Sequence, residues 1–225
     1  MTVNGTILHA AAVLFDLDGV LVDSGATVER SWRRWAVRQG LDPAAVLAVC
    51  HGRTTAATIA VVAGHLDAAA EARRIESEQA ADSAEVRACP GAADLIAEMP
   101  AGRWAVVTSG SRALASSRLR QASIPVPDVL ITSDDVRRGK PDAEGYRAAA
   151  GLLGVEPSDC VVIEDAHPGV TAALAAGCRV IGIAGPALGP TEDVDVLVGD
   201  LAAVTATATA AGAGVDLRPR AGARW

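Results

Sequence analysis

The hydrophobic pattern of this 225-residue chain changes period twice. Ala11-Ala12-Val13-Leu14-Phe15 is a short continuous apolar run, which reads as a parallel strand covered on both faces. After Ser24 the spacing becomes helical. Val28, Trp32, Trp35 and Ala36 share one face, and Gln39-Gly40 ends the helix. Pro43 opens a second helix that runs to about Cys50. A loop over 51–55 precedes a helical segment that ends at Gly64, and the Ala-, Glu- and Arg-rich stretch 66–87 predicts one or two helices more.

Cys89-Pro90-Gly91 then punctuates the chain, and apolar runs begin to alternate with helical segments. Strands are predicted over 104–108, 129–131, 160–164, 179–183 and 196–198. Helices are predicted over 92–99, 112–121, 142–153 and 168–176. The expected fold class is α/β: a doubly wound, Rossmann-like parallel-sheet core interrupted after its first strand by an all-helical insertion. The core is expected over 1–22 and 88–205 and the helical insertion over 23–87. The Ala-, Thr- and Gly-rich stretch 206–225 reads as a flexible tail.

Composition narrows the classes. Half of the residues are hydrophobic but aromatics are only 3%, so the core is expected to be built from Ala, Val, Leu and Ile. A net charge of -7 without any Lys/Arg-rich run argues against nucleic-acid partners. No apolar stretch is long enough for a membrane span, and 1–12 carries no positively charged leader, so a cytoplasmic protein is expected. Cys50, Cys89, Cys160 and Cys178 are widely spaced and read as reduced, buried thiols. A monomer is the default expectation. Lys140 is the only lysine among the basic residues. A coding bias toward arginine explains the excess, and a lysine retained under it marks a position where a compact ammonium and a planar guanidinium are not interchangeable.

The strand ends carry the candidate chemistry. Asp16 and Asp18 stand two residues apart at the end of the first strand, followed by Gly19. Such close carboxylates need a raised pKa or a cation, and Mg²⁺ would suit both them and a phosphate. The next strand ends in Thr108-Ser109-Gly110, the 160–164 strand ends in Glu164-Asp165, and Lys140 follows the 129–131 strand in Arg138-Gly139-Lys140-Pro141-Asp142. Parallel strands point their C-terminal ends into one crevice. There, one aspartate can attack phosphorus while its neighbour shuttles a proton. Thr108, Ser109 and Gly110 can hold phosphoryl oxygens, Lys140 can neutralise charge, and Glu164 and Asp165 can complete a metal shell. Singly, each motif has a plainer reading: a helix cap, a turn, or favourable charge at a helix N-terminus. Their joint order at successive strand ends is what points to chemistry.

These four motifs resemble those of the haloacid-dehalogenase-like superfamily, and the helical insertion resembles its small α-helical cap. The resemblance implies a Mg²⁺-dependent phosphatase with Asp16 as nucleophile and Asp18 as general acid/base. It also implies phosphate binding by Thr108 and Ser109 and charge stabilisation by Lys140. The metal would be held by Asp16, the Asp18 backbone carbonyl and Asp165, with Glu164 assisting directly or from behind. Asp23-Ser24, Val28-Glu29-Arg30-Ser31-Trp32 and His51-Gly52-Arg53 look like the sugar- and hexitol-phosphatase branch and the yeast-type glycerol-phosphate and 2-deoxyglucose-6-phosphate phosphatases. By that likeness, Glu29, His51 and Arg53 are candidate contacts to a small phosphorylated metabolite; a solvated Glu29 on a helix face is the equal alternative. A β-phosphoglucomutase is the enzymatic rival, although its cap-hinge histidine aligns with Val28. A non-catalytic phosphate-binding module is the rival of another class.

Overall fold

The computed structural model describes residues 7–82, 85–189, 193–209 and 214–221. Its centre is a six-stranded parallel sheet. The strands are β2 (Ala12–Phe15), β5 (Trp104–Val107), β6 (Leu130–Ile131), β7 (Cys160–Glu164), β8 (Arg179–Ile183) and β9 (Val196–Val198), in the spatial order β6-β5-β2-β7-β8-β9. The chain thus starts in the middle, builds outward to one edge, and returns to build the other half from β7. The switch of direction beside β2 opens a crevice at the C-terminal ends of β2, β5 and β7.

Alternation along the strands feeds two cores. Val13, Phe15, Val106, Val161 and Ile163 face one side, where α5 (Ala92–Glu98) and α6 (Arg112–Gln121) supply Leu95, Ile96 and Leu119. Ala12, Leu14, Val107 and Val162 face the other, against Tyr146 of α7 (Glu144–Leu153) and Val170 of α8 (His167–Ala176). Burial on both faces explains why these strands are apolar throughout.

The insertion leaves and rejoins the sheet domain through paired strands, β3 (Val22–Asp23) and β4 (Arg87–Ala88), which run antiparallel. Between them lie α1 (Gly25–Arg38), α2 (Pro43–Cys50), α3 (Thr55–Val62) and α4 (Ala68–Ala81). Asp42 and Thr54 cap α2 and α3, and Asp67 accepts from the amides of Ala69 and Ala70 at the start of α4. Trp32, Trp35, Ile59 and Ile75 form a separate core for this helical unit, with the two tryptophans edge to face. Of the one or two helices expected over 66–87, the described residues hold one, α4, with β4 beginning at Arg87.

The expected flexible tail over 206–225 is corrected. Residues 210–213 and 222–225 lie outside the described residues. The rest pairs β10 (Val204–Ala208) and β11 (Val215–Pro219) with β1 (Leu8–Ala10), a strand that periodicity did not predict, in a second sheet ordered β1-β11-β10. Val204, Ala206, Val215 and Leu217 turn into the core beside α5. Glu98 fastens the sheet by accepting from Thr205 Oγ1 (2.8 Å), the Ala206 amide (2.9 Å) and Arg220 (3.0 Å). A strand whose inward residues are mostly Ala and Val and whose outward ones are Thr gives little hydrophobic contrast, so its period is faint in the sequence. Among the described residues no helix is long and apolar enough to cross a membrane.

Candidate active site

Three strand ends and the loop after β6 converge in the crevice. Asp16 follows β2 directly, and its amide donates to the Ile163 carbonyl (3.0 Å), which extends the β2–β7 pairing to the carboxylate's own residue. The chain then turns through Gly19 at φ +89°. A Cβ at Gly19 would lie 2.0 Å from the Asp165 carboxylate, so glycine is required both for the turn and for the approach of Asp165.

Lys140 is buried at the centre. Its ammonium donates to Asp16, to Glu164 Oε1 (2.7 Å) and to the Val107 carbonyl (3.0 Å), which uses all three of its protons. Glu164, 1% exposed, is equally saturated. Oε1 also accepts from the hydroxyl of Tyr146 (2.8 Å), and Oε2 accepts from the amides of Asp165 (3.0 Å) and Ala166 (3.2 Å). A carboxylate has about four acceptor positions, and these four donors take them. Tyr146 is the chain's one tyrosine, and Gly169 admits the same carboxylate: a Cβ there would lie 1.6 Å from Oε1. Glu164 therefore acts as the anchor of Lys140.

Burial pushes the Asp16 carboxyl up to about 7, with the Lys140 ammonium opposing and the Glu164 charge adding. Burial, then Asp16 and Glu164, push Asp165 well above the ordinary range. Burial alone would push the Lys140 ammonium down, but Asp16 and Glu164 outweigh it and hold it above its ordinary value. Such crowding is relieved either by protons or by a bound cation. Oxygens of Asp16, Glu164 and Asp165 lie within 4.8 Å of one another. Asp16 and Asp165 are the members free to ligate, because the acceptor positions of Glu164 are taken by protein donors.

Asp18 is held at both oxygens. Ser24 donates its hydroxyl to Oδ1 (2.6 Å), and the buried Arg118 donates Nη1 to Oδ2 (2.5 Å). The Thr108 hydroxyl is buried and accepts from the Gly110 amide (3.2 Å). Ser109 reaches across to the helical insertion and donates to the Gly52 carbonyl (3.1 Å). Asp16, Asp18, Thr108, Ser109, Gly110, Glu164 and Asp165 line one cavity of about 830 Å³. The loop residues His51 and Arg53 join them from above. Glu29 does not: it lies exposed on α1, is not among the cavity's lining residues, and pairs with Arg33 one turn on (2.7 Å). The plainer reading of Glu29, a solvated helix face, is the one the structure shows.

Sequence reasoning missed Arg118, Gln79 and Tyr146, and singled out Ser24 only as part of the Asp23-Ser24 motif. Two left a signal. Arg118 stands in the same helical register as Leu114, Ala115 and Leu119, and Gln79 in the register of Ala72, Ile75 and Glu76. A polar side chain in a core-facing register needs a partner. Cys50 and Cys89 line the cavity, but burial pushes their thiols up to about 11 and about 12, so neither is a thiolate nucleophile at neutral pH.

The comparisons with known proteins agree with this geometry. Residues 10–177 match the family described as haloacid dehalogenase-like hydrolase. Hexitol phosphatase A of Escherichia coli (strain K12) is 44% identical over 206 residues, covering 89% of this chain and 95% of that protein. Glycerol-1-phosphate phosphohydrolase 2 of Saccharomyces cerevisiae is 34% identical over 212 residues, covering 88% of this chain and 82% of that one. Among solved structures, CbbY from Rhodobacter sphaeroides in complex with phosphate superposes with a TM-score of 0.74 at 29% identity, over 86% of this chain and 95% of its own. With the sheet topology, the inserted helical unit and the carboxylate–lysine crevice in place, the chain belongs to the haloacid dehalogenase-like hydrolase family.

Proposed function

We propose that this hydrolase is a Mg²⁺-dependent phosphomonoesterase acting on small sugar, hexitol or polyol phosphates through an aspartyl-phosphate. The observation that carries the reading is the buried Asp16–Lys140–Glu164 unit beside Asp165, with all three carboxylates lining an 830 Å³ cavity. One Asp16 oxygen is fixed by Lys140, and the other accepts no hydrogen bond from any of the described residues. That free oxygen is the nucleophile. It forms a bond to phosphorus as the ester P–O bond breaks, and Asp18 gives the departing alkoxide a proton. Asp18 then takes a proton from a water that attacks the same phosphorus, which releases phosphate and restores the Asp16 carboxylate. Thr108, Ser109 and the Gly110 amide hold the phosphoryl oxygens, and Lys140 offsets charge on Asp16 and phosphate together. Asp16, Asp165 and the Asp18 backbone carbonyl would hold the cation, which when bound supplies charge neutralisation for an anionic nucleophile approaching an anionic phosphate.

The relatives' printed substrates, a hexitol phosphate and glycerol 1-phosphate, suggest the leaving-group class. The test is phosphate release from a panel of sugar, hexitol and glycerol phosphates, with and without Mg²⁺, using Asp16→Asn as control. Mg²⁺-dependent release that falls at least ~10³-fold in the variant is expected. Turnover retained by Asp16→Asn, or none from the wild type, would overturn the reading.

A further inference from the structure

Helix α4 turns two polar residues toward the sheet domain. Glu76 accepts from Thr55 Oγ1 (2.7 Å) and from the Ser111 amide at the start of α6 (3.2 Å). One turn on, Gln79 is 5% exposed and accepts at Oε1 from Arg118 Nη2 (2.7 Å). The other end of that guanidinium donates to Asp18. Arg118, its side chain 5% exposed, thus bridges a residue of the helical cap and the acid/base aspartate.

The bridge settles which way the Gln79 amide points. A guanidinium has donors and no acceptor, so the amide oxygen must face Arg118 and the NH₂ must face away from it. No group among the described residues accepts from that NH₂, and Gln79 lines the cavity together with Asp18, Ser24, Trp32 and Thr55. The result is a nearly buried residue of the cavity lining, its amide donor without an acceptor among the described residues, one guanidinium away from the group that protonates the leaving alkoxide.

We propose that Gln79 reads a hydroxyl of the leaving alcohol, and that Arg118 is the positioning residue that orients both the Gln79 amide and Asp18. The proposal rests on the phosphomonoesterase reading and adds the residue by which the cap selects polyhydroxylated alcohols. A bound leaving group displaces cavity water. A hydroxyl oxygen then gives the NH₂ a new acceptor, whereas an alkyl chain strands it.

The test compares kcat/KM for glycerol 1-phosphate and propyl phosphate, which share chain length and differ in hydroxyls. Wild type prefers glycerol 1-phosphate by about tenfold or more. Gln79→Leu lowers kcat/KM for glycerol 1-phosphate about tenfold more than for propyl phosphate; a loss common to both substrates reads the disturbance of the Arg118–Asp18 pair, and a cooperative thermal transition shows that the variant folds. Equal losses on both substrates would assign Gln79 to cap docking alone and overturn the proposal. The wild-type comparison needs no variant, and equal kcat/KM values there also overturn it. A wild type that hydrolyses neither ester nor any sugar or hexitol phosphate of the panel brings down the phosphatase reading and this proposal with it, whereas turnover without preference for the hydroxylated ester brings down this proposal only.

Discussion

The crevice at the strand ends and the rim formed by the helical cap use charge in opposite ways. In the crevice Lys140 and Glu164 are buried and have every hydrogen-bonding position filled from within the chain. At the rim Glu29, His51 and Arg53 are exposed, and only the last two face the cavity. Buried, saturated charges hold one geometry, which suits a phosphoryl group that is the same in every substrate. Exposed groups on a loop can adjust, which suits leaving groups that differ. Gln79 lies between these regimes, buried but half-satisfied.

Removing the central cation should break the crevice most severely. Lys140→Met leaves Asp16 and Glu164 buried side by side without their shared partner. A loss of about 3–5 kcal/mol is expected on chemical denaturation, together with at least ~10²-fold in kcat. A stable, active Lys140→Met variant would show that the unit does not carry the site.

The crowded acids give the next largest effect. Their ordinary value is 3.8, and in the metal-free fold Asp16 is at about 7 with Asp165 raised as well. Between about 3.8 and about 7 the folded state therefore binds more protons than the unfolded one. Their stabilising contribution is complete below this window and is lost as pH rises through it. Metal-free protein should lose melting temperature across the window. Added Mg²⁺ should raise the melting temperature more at pH 8 than at pH 5, where protons compete for the same oxygens. Equal Mg²⁺ shifts at both pH values would contradict a site at Asp16 and Asp165.

Tyr146→Phe sharpens the comparison by removing one donor from Glu164 while keeping the ring beside Lys140. A loss of about 1.5–3 kcal/mol is expected, read as a fall in melting temperature of about 2–4 °C per kcal/mol, with kcat lowered and KM little changed. The smallest effect belongs to the rim. Glu29→Ala should leave kcat/KM within about twofold and stability within about 0.5 kcal/mol, because an exposed i,i+4 pair contributes little. A large loss of activity would return Glu29 to the substrate site.

What was legible in the sequence follows from the same division. The parallel strands are buried on both faces, so their apolar runs ended where the structure ends them at Glu164, Ile183 and Val198. The carboxylates at the ends of β2 and β7 stood out because buried strands rarely end in paired charges. Strand β10 was hidden by weak contrast between Ala, Val and Thr, whereas β1 spans only three residues and β11 alternates Val215-Asp216-Leu217-Arg218, a period that the reading of this stretch as a tail passed over. The Arg118–Gln79 bridge was hidden for another reason. It joins residues 39 positions apart on two helices whose docking no local pattern encodes. Tyr146 likewise gave no signal, since an aromatic on a helix face reads as core, and its hydroxyl partner lies on a strand.

The central claim is that Asp16 carries the phosphoryl group, and the direct measurement is acid quench of wild-type enzyme during turnover with Mg²⁺, followed by peptide mapping by mass spectrometry. A phosphoryl group on the peptide containing Asp16, located on that aspartate and missing from Asp16→Asn, is the expected result. Steady turnover with no phosphorylated peptide, or with phosphate on another residue, would contradict it.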